Sequence, residues 1–333
     1  MRHWWAIGLW LAVAMPRTVS AAPADAAAKP PSGDRTATTE TVPVVPIEDL
    51  HAFALTNKNE YVLGEPVFFY LILANWSEKN SFEVQGYLHP ANDLEIKATR
   101  LGEMPKRFTG GAIKDVLFPG LTLTLQPREL SPLRWPLVYH PDNPSGFFFD
   151  QPGFYTISCQ ARLNINRTLR VLTLPEFQCQ VREPSAEQKA VVDRILRPDC
   201  ALGLQRSQVD VESAKIWQDV ATRFPNSLWA PYARVLLARR PLEAGKSDYP
   251  VLLQQFEAIL RDYPDFPLLD ELYYLCAGCE DRLGRPLETL RWLYRIQREF
   301  PISPYLQPGN RLFRKYLYQT GWEDRYAPWY LRE

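Results

Sequence analysis

The chain has 333 residues, with 38 basic against 38 acidic side chains, ten tryptophans and five cysteines. That charge balance argues against nucleic acid, whose phosphates demand a basic face. A chain of this length suggests two domains of ordinary size, each able to bury its own core.

The chain opens MRHWWAIGLWLAVAMPRTVSAAPADA, with Arg2 and His3 ahead of the apolar run Trp4 to Met15 and small residues near Ala21 and Ala22. This is the pattern of a secretory signal peptide over residues 1–21, and it points to a periplasmic or secreted protein. Its removal leaves 36 basic and 38 acidic side chains. The apolar run is shorter than the roughly twenty residues a membrane-crossing helix needs, and no later stretch is long and apolar enough, so no membrane span is expected. The first cysteine is Cys159, so no lipid-attachment cysteine follows the run. Residues 22–46, rich in Ala, Pro and Thr and without periodicity, suggest a disordered tether.

From residue 47 to 183 the pattern is period two or short apolar runs, punctuated by Gly and Pro. EPVFFYLILANWS is expected to be a strand buried on both faces; FEVQGYLHP, DLEIKATRL, LTLTLQP, LRWPLVYH, GFYTISCQARLN, TLRVLTL and EFQCQV follow as further short strands. Such spacing without helical pattern predicts an antiparallel β-sandwich. In an exported chain five cysteines permit two disulfides and leave one thiol. Cys159 and Cys179 fall in the last two predicted strands and are the expected pair, whereas Cys200, Cys276 and Cys279 cannot be paired from sequence. The segments YVLGEPVFFYLILANWS, LFPGLTLTLQP and FFFDQPGFYTISCQA resemble immunoglobulin-like domains of exported bacterial proteins, which makes Tyr155 the corner tyrosine. Antibody-type domains place that tyrosine two residues before the cysteine, but Tyr155 precedes Cys159 by four. Their inter-sheet disulfide is therefore not carried over, and a bond between neighbouring strands stands in its place.

After Pro184 the period becomes 3.6. SAEQKAVVDRIL opens on a capping box, Ser185 and Gln188. Tyr249, Leu252, Leu253, Phe256, Ile259, Leu260 and Tyr263 trace one amphipathic face. Pro267, Pro286 and Pro304 suit first-turn positions, and Gly284 suits a helix end. An aromatic followed by Pro recurs at Phe224-Pro225, Tyr263-Pro264 and Phe300-Pro301, with Leu236, Leu275 and Leu312 eleven residues after each proline. This resembles tetratricopeptide repeats of the bacterial envelope type, with units longer than the usual 34 residues. The expected fold is thus all-β plus all-α: an immunoglobulin-like antiparallel β-sandwich over 47–183, then a tetratricopeptide-like α-solenoid over 184–333.

Cys276 and Cys279 form C-x-x-C, but redox enzymes place the first cysteine at a helix N-terminus. Here Leu269, Leu272, Cys276, Cys279 and Leu283 share one apolar stripe, so both thiols are expected in the core. His51, His89 and His140 match no catalytic or metal pattern, and the chain carries no phosphate loop or nucleophile elbow. No catalytic residue, cofactor or metal is therefore expected. Asn75 and Asn166 match the short glycosylation motif. In the tail, Trp322, Tyr326, Trp329 and Tyr330 either cap the helical stack or offer an aromatic surface.

Glu271, Tyr274, Gly278 and Arg282 form a second stripe beside the cysteine stripe. A shift of 39 residues maps its first three members onto Tyr232, Val235 and Arg239. In the repeat family this resembles, that face is the concave, peptide-binding groove. The expected function is that of an exported, non-enzymatic binding or scaffold protein for a protein or peptide partner, with Tyr232, Val235, Arg239, Glu271, Tyr274 and Arg282 as contacts. The alternatives are an inhibitor or carbohydrate-binding module acting through sandwich loops, and behind it an unrecognised hydrolase. Oligomeric state is left open.

Overall fold

The computed structural model describes residues 49–86, 89–90, 92–110, 121–243 and 248–320. The expected signal peptide, tether and aromatic tail lie outside these residues. Among the described residues ten strands come first: β1 (Leu50–Thr56), β2 (Glu60–Val62), β3 (Val67–Asn75), β4 (Phe82–Gly86), β5 (Leu94–Arg100), β6 (Lys106–Phe108), β7 (Leu121–Leu125), β8 (Leu130–Leu137), β9 (Gly153–Ile165) and β10 (Thr168–Arg182). Eight helices follow: α1 (Ala186–Ile195), α2 (Pro198–Arg206), α3 (Val211–Arg223), α4 (Ala230–Glu243), α5 (Tyr249–Asp262), α6 (Leu269–Arg282), α7 (Pro286–Glu299) and α8 (Leu306–Thr320).

The strands form two sheets. One has three antiparallel strands in the order β1-β3-β8. The other has seven: β2-β10-β9-β4-β7, with β5 joining β9 and carrying β6 at its side. Strand β9 serves β10 on one edge, while β4 and β5 divide the other edge along its length. The pair β2–β10 is parallel. Pro132 and Pro136 are accommodated because β8 is an edge strand. Pro175 falls where the β9–β10 register shifts between Leu174 and Phe177.

All nine residues of β3 are buried, and the ring contacts show why. Phe69 stands 6.3 Å from Phe177 of β10, on the face toward the seven-stranded sheet. Phe68, pointing the other way by the two-residue period of a strand, stacks 6.3 Å from Tyr232 of α4. The three-stranded sheet is therefore a middle layer, with the larger sheet on one side and the helices on the other. A strand covered on both faces needs apolar residues at every position.

This arrangement corrects the expected immunoglobulin-like sandwich followed by a separate α-solenoid. The larger sheet is branched and mixed rather than one half of a simple antiparallel sandwich, and one hydrophobic cluster runs from Leu50 through β3 and β9 to Cys279 of α6. The molecule is a mixed α/β arrangement in which strands and helices share a core. Trp229, fully buried, donates its indole N–H to the Gly64 carbonyl at 2.9 Å and ties the start of α4 to the turn before β3. Gly146 has φ +74°, and a Cβ there would lie 2.4 Å from Pro198 Cα at the start of α2, so the loop after β8 meets the helices too closely for a side chain. The Tyr155 hydroxyl does donate to the Gln151 carbonyl at 2.7 Å, a local corner bond in a different surrounding fold.

The helix signals are local and act locally. The Ser185 hydroxyl accepts from Gln188 N–H while the Gln188 side chain accepts from Ser185 N–H. Pro286 opens α7, and Gly284, at φ +69°, follows α6. Consecutive helices from α3 to α8 pack side by side.

The expected Cys159–Cys179 disulfide is not formed; all five cysteines are buried free thiols. The β9–β10 register places Cys159 opposite Leu174 and Cys179 opposite Tyr155. Tyr155 and Cys159 are four residues apart on β9, about 13 Å at the rise of a strand, beyond the Cα separation a disulfide spans.

Candidate functional site

Where the middle sheet meets the helices, the structure sets four charges in a row, three of them buried and the fourth, Arg239, half-buried. Arg134 of β8 lies beside Tyr70 of β3 in the sheet register and faces α6, its side chain 5% exposed. Its Nη1 donates to both carboxylate oxygens of Asp270, at 2.9 and 3.2 Å, and its Nη2 donates to Glu271 Oε2 at 3.0 Å. Glu271 Oε1 accepts from Arg239 of α4. Asp270 Oδ2 also accepts from the Ser303 hydroxyl at 2.7 Å. Both acids sit in the first turn of α6, where the helix dipole favours negative charge. Two guanidiniums and two carboxylates sum to zero, which is the condition for burying them.

Aromatic rings enclose the pair. The Arg134 guanidinium lies 5.7 Å from the Phe68 ring centre, 6.0 Å from that of Tyr70 and 5.4 Å from that of Tyr305. Burial works against its charge, but the Asp270 carboxylate and its neighbours more than offset this and hold its pKa well above the ordinary arginine value. Burial also raises the pKa of Tyr70, Tyr232 and Tyr305, so these phenols remain neutral.

Beside the network is a cleft of about 230 Å³ between the middle sheet and α2, α4 and α6. Phe68, Val235, Leu236, Phe266 and Leu268 give it apolar walls, and Gln205, Arg206, Ser207, Tyr232, Arg239 and Glu271 line it with polar groups. Tyr232 is wedged between Phe68 and Phe266, whose ring is 4.9 Å away edge-on. Its hydroxyl is buried and has no hydrogen-bond partner. An unpaired buried hydroxyl costs on the order of 1–3 kcal/mol.

Of the expected contact residues, Tyr232, Val235, Arg239 and Glu271 all line this cleft. Tyr274 instead stacks on Tyr305, 4.8 Å between ring centres, and Arg282 is exposed near the C-terminal end of α6 without lining the cleft. The face read from sequence as an open groove is covered in part by the chain's own sheet. Sequence reasoning missed the sheet's contribution, Arg134 and Phe68, and that of Arg206 and Tyr305. An available signal was Arg134 itself, a charge inside the otherwise apolar LRWPL.

Cys276 and Cys279 are buried on α6, as their stripe implied, and burial pushes the Cys279 thiol up to about 11 and Cys276 further still. Neither is a thiolate at neutral pH. Among the described residues no group of three or more His, Cys, Asp or Glu side chains is placed to hold a metal ion, and no helix is long and apolar enough to cross a membrane.

The chain matches no protein-family model and no curated protein. Among solved structures it is similar to a β-glucosidase from Erythrobacter marinus, at 10% identity and a TM-score of 0.23, over 40% of this chain and 15% of that one. It is also similar to the sporulation control protein Spo0M from Bacillus subtilis, at 14% identity and TM-score 0.24, over 45% of this chain and 55% of that one. A third is a CARDB domain from Pyrococcus furiosus in complex with di-metal ions, at 12% identity and TM-score 0.22, over 44% of this chain and 100% of that one. The chain thus spans about half or less of the first two. Similarity at this level carries no functional argument.

Proposed function

We propose that this chain is an exported, non-enzymatic binding protein that takes a segment of a protein or peptide partner into the cleft between the middle sheet and the helices. The observation that supports this reading is the convergence of Tyr232, Val235, Arg239 and Glu271 with Phe68 of the sheet on one concavity. Apolar walls with a few polar groups are the usual make-up of a binding site, and about 230 Å³ is below the roughly 300–1,000 Å³ that holds a drug-sized ligand. One side chain or a chain terminus suits such a volume. The test is to select peptides from a displayed random library against the mature chain and follow amide hydrogen exchange on binding. Protection over residues 230–243 and 269–282 is expected; protection confined to the strand-connecting loops contradicts the proposal.

A second reading is carbohydrate recognition by the β-rich part. It is favoured by an aromatic row at the edge of the middle sheet: Trp76 is 50% exposed, with its ring centre 3.7 Å from His51 and 5.9 Å from Phe53. Loss of binding to soluble glycans on Trp76→Ala would favour it, and protection of the cleft helices by peptides would count against it.

A further inference from the structure

The middle sheet ends on β1, and among the described residues that strand pairs with β3 alone. Exposure changes there as it does at an open edge: all nine residues of β3 are buried, while His51, Ala52, Phe53, Ala54 and Leu55 are each half-buried, whichever face they point to. Natural edge strands are kept short or are interrupted by charge, proline or a bulge, which stops them pairing with other chains. Strands β2 and β6 have three residues each, and β8 carries Pro132, Arg134 and Pro136. Strand β1 has none of these devices: LHAFALT holds no Pro, Asp, Glu, Lys or Arg, and its seven-residue register with β3 is unbroken.

Its backbone is set to pair outward. Trp76 N–H donates to the Asp49 carbonyl at 2.8 Å and Asn57 N–H to the Phe68 carbonyl at 3.0 Å, so the odd-numbered residues of β1 bond to β3. By the antiparallel alternation Ala52 and Ala54 turn their N–H and C=O groups away from β3. We infer that β1 is the contact through which two copies of this chain associate, β1 against β1, antiparallel, about a two-fold axis at Phe53. Centred there, Ala52 faces Ala54 of the second copy and His51 faces its Leu55, so small residues meet small and large meet large. Ala52 and Ala54 then exchange both backbone bonds, and the two Phe53 side chains fall on a non-hydrogen-bonded pair, where Cα atoms come within about 4.5 Å. Asp49 of one copy comes opposite Asn57 and next to Lys58 of the other, so the ends of the ladder bring unlike charges together. On the helix-facing side Trp76, 50% exposed and with its ring centre 3.7 Å from that of His51, extends the apolar contact. An unrelated strand gains the same backbone bonds but not this matched pattern.

The experiment is sedimentation velocity of the chain over a range of concentrations, with the variants Ala54→Pro and Phe53→Cys. The unmodified chain should pass from one copy to two as concentration rises. Ala54→Pro removes an N–H that points away from β3, so two hydrogen bonds are lost per dimer; it should raise the dissociation constant at least about tenfold and keep a cooperative urea transition. Phe53→Cys places one thiol of each copy at the closest pair, within reach of a disulfide, while the five native thiols are buried. Oxidised glutathione should therefore link its copies much faster than those of Val211→Cys, a position 59% exposed on α3. That comparison decides the matter if Ala54→Pro does not fold. A single copy at every concentration, or a dimer that Ala54→Pro leaves intact and Phe53→Cys does not cross-link, overturns the proposal. A single-copy chain whose β1 amides are protected from exchange only by an added extended peptide overturns it too, and gives the edge to another partner.

Discussion

Replacing Arg134 by Met tests whether the buried ion network holds the helices to the sheet. Arg134 is the only cation paired with Asp270 among the described residues, and the side chains of Arg134, Asp270 and Glu271 are 5%, 7% and 11% exposed. Removing one member of a buried pair costs about 3–5 kcal/mol because the other is left as an uncompensated charge. Asp270 would keep two donors, Ser303 Oγ and Glu271 N–H, and a favourable place at a helix N-terminus, while Glu271 would keep Arg239. That places the expected loss near the low end, about 3 kcal/mol, equivalent to a melting temperature lower by roughly 6–12 °C. Arg239→Met is the control: its side chain is 27% exposed and makes one of these ion pairs, so about 1 kcal/mol is expected. The assay is urea unfolding of both variants, read by circular dichroism and fluorescence. Adding Asp270→Asn to Arg134→Met should restore part of the loss, since neighbours in one network are not additive. A loss for Arg134→Met no larger than that for Arg239→Met would refute the reasoning.

Three further outcomes are expected. Cys276 and Cys279 should resist a thiol-labelling reagent in the native protein and react only on unfolding, and their joint change to Ala should cost about 1–3 kcal/mol through lost burial; rapid native labelling would contradict this. Fragments 47–183 and 184–333 should each lack a cooperative melt, because separation exposes the helix-facing row of β3 and unpairs Trp229 from Gly64; two sharp, independent melts would show that the shared core is not required. His140 accepts from Asp142 N–H through Nδ1 at 3.3 Å and places Nε2 against the Arg107 carbonyl at 3.1 Å, and burial lowers its pKa. A depressed histidine contributes stability that is whole above its unfolded value near 6.5 and is lost as the pH falls through the folded value. Urea midpoints should therefore drop below about pH 6.5, and less steeply in His140→Gln; identical slopes would remove His140 as a cause.

The parts of the fold legible in the sequence are those governed by neighbours along the chain. The Ser185–Gln188 box, Gly284 after α6, the cysteine stripe and the alternation in β9 each depend on residues within a turn or two. The continuous apolar run of β3 showed burial on both faces but could not show that helices supply one of the covers. Arg134 and Asp270 are 136 residues apart, and no local rule joins them. The stripes on α4 and α6 were readable through their 39-residue offset, so four residues of the cleft were found. What they face was not readable, because an amphipathic pattern specifies a face and not its partner. The cysteine pairing failed for a related reason: the register of the whole β9–β10 ladder sets Cys179 opposite Tyr155, four residues from Cys159, and no local signal fixes that register.

Filling the cleft is the direct test of binding there. Val235 is buried and lines the cleft, so Val235→Phe directs its added ring into space that the fold leaves open. Peptides selected on the unmodified chain should lose at least about tenfold in affinity for this variant while its cooperative urea transition is kept, since an occupied cleft cannot take a second group. A folded Val235→Phe protein that binds the same peptides with unchanged affinity would place binding elsewhere on the molecule.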